Sequence, residues 1–250
     1  GIIVINRIKA HTSFRGKYES GLMKMMAIGL GKHHGAQHYH QTGVYIMDQV
    51  VESVGLEVLK RAKICLGVAI VDNAHGRPGM IEVIEPSDIP AREAELLTQA
   101  NALMPRLFMP ELDALIIKKI GKEISGTGID TNVAGRYYNE RLKSRDISVT
   151  KIALLDLTQK SHGNANGVGL GDFITRRLFE KIDLEQTYPN ALTTTAAVAV
   201  KIPMILQNDE LAVKAAIETA LLIDKSTARV AFIESTKNLD TVYISQNLLD

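Results

Sequence analysis

Seven histidines occur in the 250 residues, and five of them lie in the first forty positions. His11 stands alone, while His33, His34, His38 and His40 crowd together downstream. Imidazole is the commonest biological metal ligand and a natural proton shuttle near neutral pH. His34 and His38 are four apart and share a face if that piece is helical. His38 and His40 are two apart and share a face if it is a strand. The spacing leaves open which of them bind a metal. No cysteine or carboxylate lies within the cluster, so an open site with few protein ligands is favoured over a closed tetrahedral zinc site. The plainer reading is a solvated polar turn beside a glycine loop. Lys24 sits among Met23, Met25 and Met26. A lysine in an apolar segment loses its charge readily and can act as a nucleophile or covalent anchor. Its plainer reading is a packed stem with an amine that reaches water.

Two loops in the second half carry further polar groups. Gly126-Thr127-Gly128-Ile129-Asp130-Thr131-Asn132, with Arg136, suits contacts to a polar ligand, although such loops also simply turn the chain. Its glycine spacing is not that of a dinucleotide-binding fingerprint. Ser161-His162-Gly163-Asn164 is not a nucleophile and base merely because the two residues adjoin, since a triad is defined by geometry. Both loops follow expected strands, and loops at the carboxyl ends of strands in α/β folds are common ligand sites.

The elements that must position these groups read as α/β. Strands are expected over 2–8, 64–71, 80–84, 112–120, 151–157, 229–234 and 241–246. Helices are expected over 45–62, 90–103, 172–182 and 209–222, the last capped by Asn208. The segment 22–28 reads as a helix turn or a strand within a long loop over 9–43. The turn at Asn73–Gly79 makes 64–71 and 80–84 a hairpin-like pair. Met104-Pro105 and Met109-Pro110 bracket a connector. The expected architecture is therefore two α/β lobes, 1–104 and 111–250, with mixed sheets flanked by helices and an active site in the cleft between them. Gly1-Ile2-Ile3-Val4-Ile5-Asn6-Arg7-Ile8 reads as a buried strand already under way, as in a fragment or one piece of a split protein.

Composition narrows the classes. Lys and Arg number 29 and Asp and Glu 28, so the net charge is 29 − 28 = +1. That balance argues against a nucleic-acid partner. The 46% of hydrophobic residues argues against disorder. Cys65 stands alone, which excludes an internal disulfide framework and suits a reducing compartment, so a cytoplasmic location is expected. No apolar stretch approaches the ~18 residues of a membrane span.

Asn6-Arg7-Ile8-Lys9-Ala10-His11-Thr12, Phe14-Arg15-Gly16, Glu19-Ser20-Gly21-Leu22-Met23-Lys24 and Ile28-Gly29-Leu30-Gly31-Lys32 resemble the nickel-pincer lactate racemase family, and more narrowly an uncharacterised isomerase branch of it. The loops at 127–132 and 161–167 are similar to the same branch. The resemblance implies a pyridinium mononucleotide that carries nickel on two sulfur arms. This cofactor accepts a hydride from a 2-hydroxy acid and returns it to either face. It implies that Lys24 anchors the cofactor, that Arg15 contacts it, that His40 supplies the nickel ligand and that His11 is an acid/base residue. His33, His34 and His38 are second choices for the metal. Thr127, Asp130, Asn132 and Arg136 are expected at the substrate. A second acid/base histidine and an arginine-bearing segment belong to a region before Gly1, on the same or another chain. The segment between His11 and Lys24 is longer than in the lactate enzyme.

The expected function is thus a nickel-pincer-dependent racemase or epimerase of a small 2-hydroxy acid, with a homo-oligomer possible. The alternatives are a histidine-site metal-dependent hydrolase with a metal-bound water and a non-catalytic ligand-binding protein on the same fold.

Overall fold

The apolar opening forms β1 (Ile2–Arg7), and a run of helical turns carries the chain back to a parallel partner. These turns are α1 (Leu22–Lys24), a π-helical turn (Met25–Gly29), α2 (Lys32–Gln41) and α3 (Met47–Arg61). β2 (Ile64–Asp72) and β3 (Pro78–Ile84) follow as the expected antiparallel hairpin, then α4 (Ile89–Leu103). The computed structural model describes residues 1–41, 43–144 and 146–249; the side chains of His33 and His34 lie outside the described residues. Contacts divide the chain into two units, Gly1–Pro105 with Thr193–Thr195, and Arg106–Leu192 with Ala196–Asp250. No described helix is long and apolar enough to cross a membrane.

The first unit is built on a three-stranded sheet in the order β1-β2-β3. Val4, Ala69 and Val71 point to one face, where α1 and α4 pack, with α3 behind α1. The expectation of a fully buried first strand is not met. β1 is an edge strand, and Ile3 and Ile5 are 57% and 55% exposed. The reason is positional: alternate residues of a strand face opposite sides, and only Val4's side carries helices. The expected loop over 9–43 also holds more helix than its glycines and histidines suggest, since Lys32–Gln41 is helical.

The second unit holds β4 (Glu111–Ile120), α5 (Thr131–Ala134), β5 (Ser148–Leu157), β6 (Phe173–Thr175), α6 (Arg176–Phe179) and α7 (Leu184–Thr194). β7 (Met204–Leu206), α8 (Asp209–Glu218), β8 (Val230–Ser235) and β9 (Asn238–Ile244) complete it. The sheet order is β7-β6-β5-β4-β8-β9, parallel except for β9. β4 is buried on both faces: Leu115 and Ile117 enter one core, Ala114 and Ile116 the other, beneath Ala212 and Ala216 of α8. One expected helix is corrected. Residues 172–182 begin as β6, because Phe173 and Ile174 pair with both β5 and β7. The helix starts only after Thr175, whose hydroxyl accepts from the Leu178 amide at 3.1 Å. The chain moves outward from β4 through β5, β6 and β7, then returns to β8 on the other side. The connections therefore change direction between β4 and β8, the place where α/β sheets usually bind ligands.

Candidate active site

Lys24 is positioned by a helix start that has no cap of its own. Gly21 precedes α1 and offers no side chain to its free amides. Glu93 of α4 supplies the acceptor instead: its Oε2 takes the Met23 amide at 2.9 Å. A carboxylate at a helix N-terminus satisfies donors that would otherwise be orphaned. Gly21 is required by this close approach, since a Cβ there would lie 2.3 Å from Glu93 Oε1. The Asn6 amide ties the same turn to β1 by donating to the Gly21 carbonyl at 2.8 Å. Leu22, Met23 and Met26 are buried, so the lysine projects from a fixed piece of core. Beyond it the backbone widens into the π-turn, where the Leu30 amide reaches back to the Met25 carbonyl at 2.9 Å. Single π-turns in helices are frequent at functional sites.

His11 comes from a loop closed by paired amides and carbonyls of Lys9 and Ser20. Its backbone amide donates to Glu19 Oε2 at 2.7 Å, and Arg15 donates to its carbonyl at 2.5 Å. The ring packs on Phe14, with centroids 4.2 Å apart. Its Nε2 lies 2.7 Å from Lys24 Nζ, while its Nδ1 accepts the Ser13 amide at 3.1 Å.

These contacts restrict where the protons can be. A neutral imidazole has one donor nitrogen and one acceptor. With Nδ1 accepting from Ser13, the hydrogen is on Nε2 and needs a lone pair on Lys24, so the amine is neutral in that form. A charged ammonium has no lone pair and must donate to Nε2, which moves the ring hydrogen to Nδ1 and ends the Ser13 bond. Burial, assisted by the nearby Lys9 charge, pushes Lys24 down to about 8. Burial also holds His11 well below its ordinary value, helped by the charges of Lys24, His40, Lys9 and Arg15. His40, half-buried on α2, is held down by burial and by Lys24. Both rings are therefore neutral near pH 7.

His11, Lys24, Arg15 and His40 are thus brought to one place in the first unit. Among the described residues no group of three or more His, Cys, Asp or Glu is arranged to hold a metal. Thr127, Asp130 and Asn132 lie in the second unit, in the loop after β4. Asp130 Oδ1 accepts the Asn132 amide at 2.9 Å and caps α5, and the Asp130 amide donates to Thr236 beyond β8 at 2.8 Å. These three residues sit at the switch between β4 and β8. Arg136 braces the unit instead, donating to Asp172 Oδ2 at 2.6 Å, to the Leu170 carbonyl at 2.9 Å and to the Thr150 carbonyl at 2.9 Å. Ser161 donates to Glu123 at 3.1 Å rather than pairing with His162.

Reading the sequence misses Glu93, Ser13 and Lys122. Glu93 had a signal: it stands in the apolar stripe of Ile89, Leu96, Leu97 and Ala100. Ser13 acts through its backbone amide, which no side chain announces. Lys122, held below its ordinary value by burial, donates to Asn190 at 2.8 Å, a contact across 68 positions. No protein-family model and no curated protein matches the chain.

Proposed function

We propose that the protein is a racemase or epimerase of a small 2-hydroxy acid that works with a nickel-pincer nucleotide. The observation that carries this reading is the 2.7 Å pair of His11 and Lys24, with the neutral His40 within electrostatic reach of both. The donor set suits the group. A nickel ion held mainly by an organic ligand asks the protein for one neutral imidazole, which His40 offers. An amine near its titration point is the lysine state that can form a covalent anchor, and Arg15 adds a cation for an anionic nucleotide. When bound, the nucleotide supplies the electrophilic sink for the hydride.

The chain's own residues handle the proton and the orientation. His11 is the acid/base residue at the substrate oxygen, a role suited to a ring that is neutral near pH 7. His11 takes the hydroxyl proton on Nε2 and returns it to the same oxygen, so the neutral ring must first carry its own hydrogen on Nδ1 and give up the Ser13 bond. Glu93 and Asn6 keep the Lys24 turn in place, and Phe14 keeps water from one side of the His11 ring.

The test is co-expression with the cofactor-making enzymes, followed by nickel analysis and mass spectrometry of the intact protein. Nickel and nucleotide are expected on the wild type. Lys24→Arg and His40→Ala are expected to lose most of the nickel. His11→Asn is expected to retain it while slowing racemisation by roughly a hundredfold or more, the usual contribution of general acid–base catalysis. A wild-type protein that acquires neither nickel nor nucleotide overturns the reading.

A further inference from the structure

Lys24 also has the surroundings for a chemistry that needs no nucleotide. We propose that its amine condenses with small 2-oxo acids to an imine, with the His11 Nε2 hydrogen bonding to the carbonyl oxygen. The inference stands on the arrangement of the pair and not on the racemase reading.

An imine-forming lysine needs a neutral amine, a partner for the carbonyl oxygen and some access. The form of His11 bonded to the Ser13 amide presents an N–H toward Lys24 and goes with a neutral amine, the state Lys24 reaches as pH rises through about 8. Among the described residues no carboxylate pairs with that amine. Glu19 is engaged by the His11 backbone and lies 3.6 Å from Arg15. Glu93 takes the Met23 amide. Lys9 and Arg15 on the His11 loop are the cations nearby, and His40 on α2 is neutral, so a small anion is drawn in. The Phe14 ring, 6.0 Å from Nζ, gives the site an apolar wall. The Lys24 residue is partly exposed although its amine is largely buried, so access is restricted to small molecules.

The step balances without a redox partner. The carbonyl oxygen takes over the His11 N–H from the amine, the freed lone pair attacks the keto carbon, and the π electrons of the carbonyl move to that oxygen, where the N–H stabilises them. Both hydrogens of the amine leave on that oxygen as water, and the carbon–nitrogen double bond forms.

Protein expressed without the cofactor-making enzymes is incubated with pyruvate and sodium cyanoborohydride, then digested and mapped by mass spectrometry. The reagent delivers hydride to the imine carbon and water protonates the nitrogen, leaving a stable carboxyethyl amine. Lys24 is expected to be labelled roughly tenfold or more ahead of any other lysine, as suits an activated amine. Labelling of Lys24 should rise with pH and level off above about pH 8, and its lead over other lysines should vanish in urea. Lys24→Arg removes the label, and His11→Ala slows it. Acetone, which has no carboxylate, is expected to label more slowly than pyruvate. Labelling of Lys24 no faster than that of other lysines in the folded wild type overturns the proposal. Equal rates with acetone overturn the preference for 2-oxo acids.

Discussion

Glu93 occupies a place in α4 where a leucine or alanine would complete the stripe, and its burial has a price in pH. Desolvation pushes its carboxyl up to about 7, against 4.5 for the free side chain, although the Met23 and Leu22 amides pull the other way. Among the described residues Oε1 has no hydrogen-bond partner. An acid whose folded value is raised binds its proton more tightly when folded. Its contribution is therefore full below pH 4.5 and is lost as pH rises through about 7. With about 1.4 kcal/mol for each tenfold change in proton affinity, the loss amounts to roughly 3 kcal/mol. Glu93→Gln keeps an acceptor for the Met23 amide and cannot ionise. Urea denaturation at pH 5 and pH 8 is expected to show a smaller difference in the variant than in the wild type. Equal differences would mean that Glu93 does not titrate in this window. What residue type made legible was a histidine-rich segment around a lysine among methionines; His11, Lys24 and His40 were singled out by the resemblance. The positioning groups were illegible where a backbone amide does the work, as for Ser13, and for Glu93 the only signal was a carboxylate set in an apolar stripe.

At the scale of elements, the loops after β4 and β5 meet backbone to backbone. Gly167 adopts φ +96°, and a Cβ on it would lie 1.7 Å from the Thr127 carbonyl oxygen. Gly167→Ala is expected to destabilise the second unit by about 2–4 kcal/mol, since strain and overlap act together. Gly126, whose Cβ would meet nothing within 4 Å, is the control. Gly126→Ala should stay within about 0.5 kcal/mol. The comparison is made by denaturant melts, and equal effects at both positions would discount the packing argument. Elements with plain local signals were readable: the start signals Ser87, Asp88, Pro90 and Glu93 announce 90–103, found as Ile89–Leu103, and the apolar run 64–71 is found as Ile64–Asp72. Residues 172–182 were not, because Phe173–Thr175 is too short to show a period and becomes a strand only through two neighbours. Helix Lys32–Gln41 lacks an apolar stripe, so its sequence resembles a polar loop.

Across the whole molecule, the two units each have a core, and the chain first passes from one to the other through Met104–Pro110. Phe108 in this connector is 93% exposed. Limited chymotrypsin digestion of the folded protein is expected to cut first after Phe108, giving two fragments by mass spectrometry. First cuts elsewhere, with 104–110 intact, would show that the connector is held more tightly than its exposure implies. The connector was visible from its prolines, because proline disfavours helix in the residue before it. The face of a sheet that helices choose to cover is invisible in a strand of unbroken isoleucine and valine, which is why β1 read as buried.

The uncovered face of the first sheet bears on how the protein behaves in the hands of an experimenter. Ile3 and Ile5 of β1 share that face with Ile81 and Val83 of β3, each 63% exposed, through the partners Leu66, Val68 and Ile70 of β2. A contiguous apolar surface of this kind binds environment-sensitive dyes. The native protein should therefore fluoresce with such a dye at room temperature, and Ile81→Lys with Val83→Lys should quench the signal without lowering the melting point seen by circular dichroism. Dye-monitored melts of this chain would begin bright and understate its unfolding transition, so ligand screens on it are better read by an intrinsic or calorimetric signal.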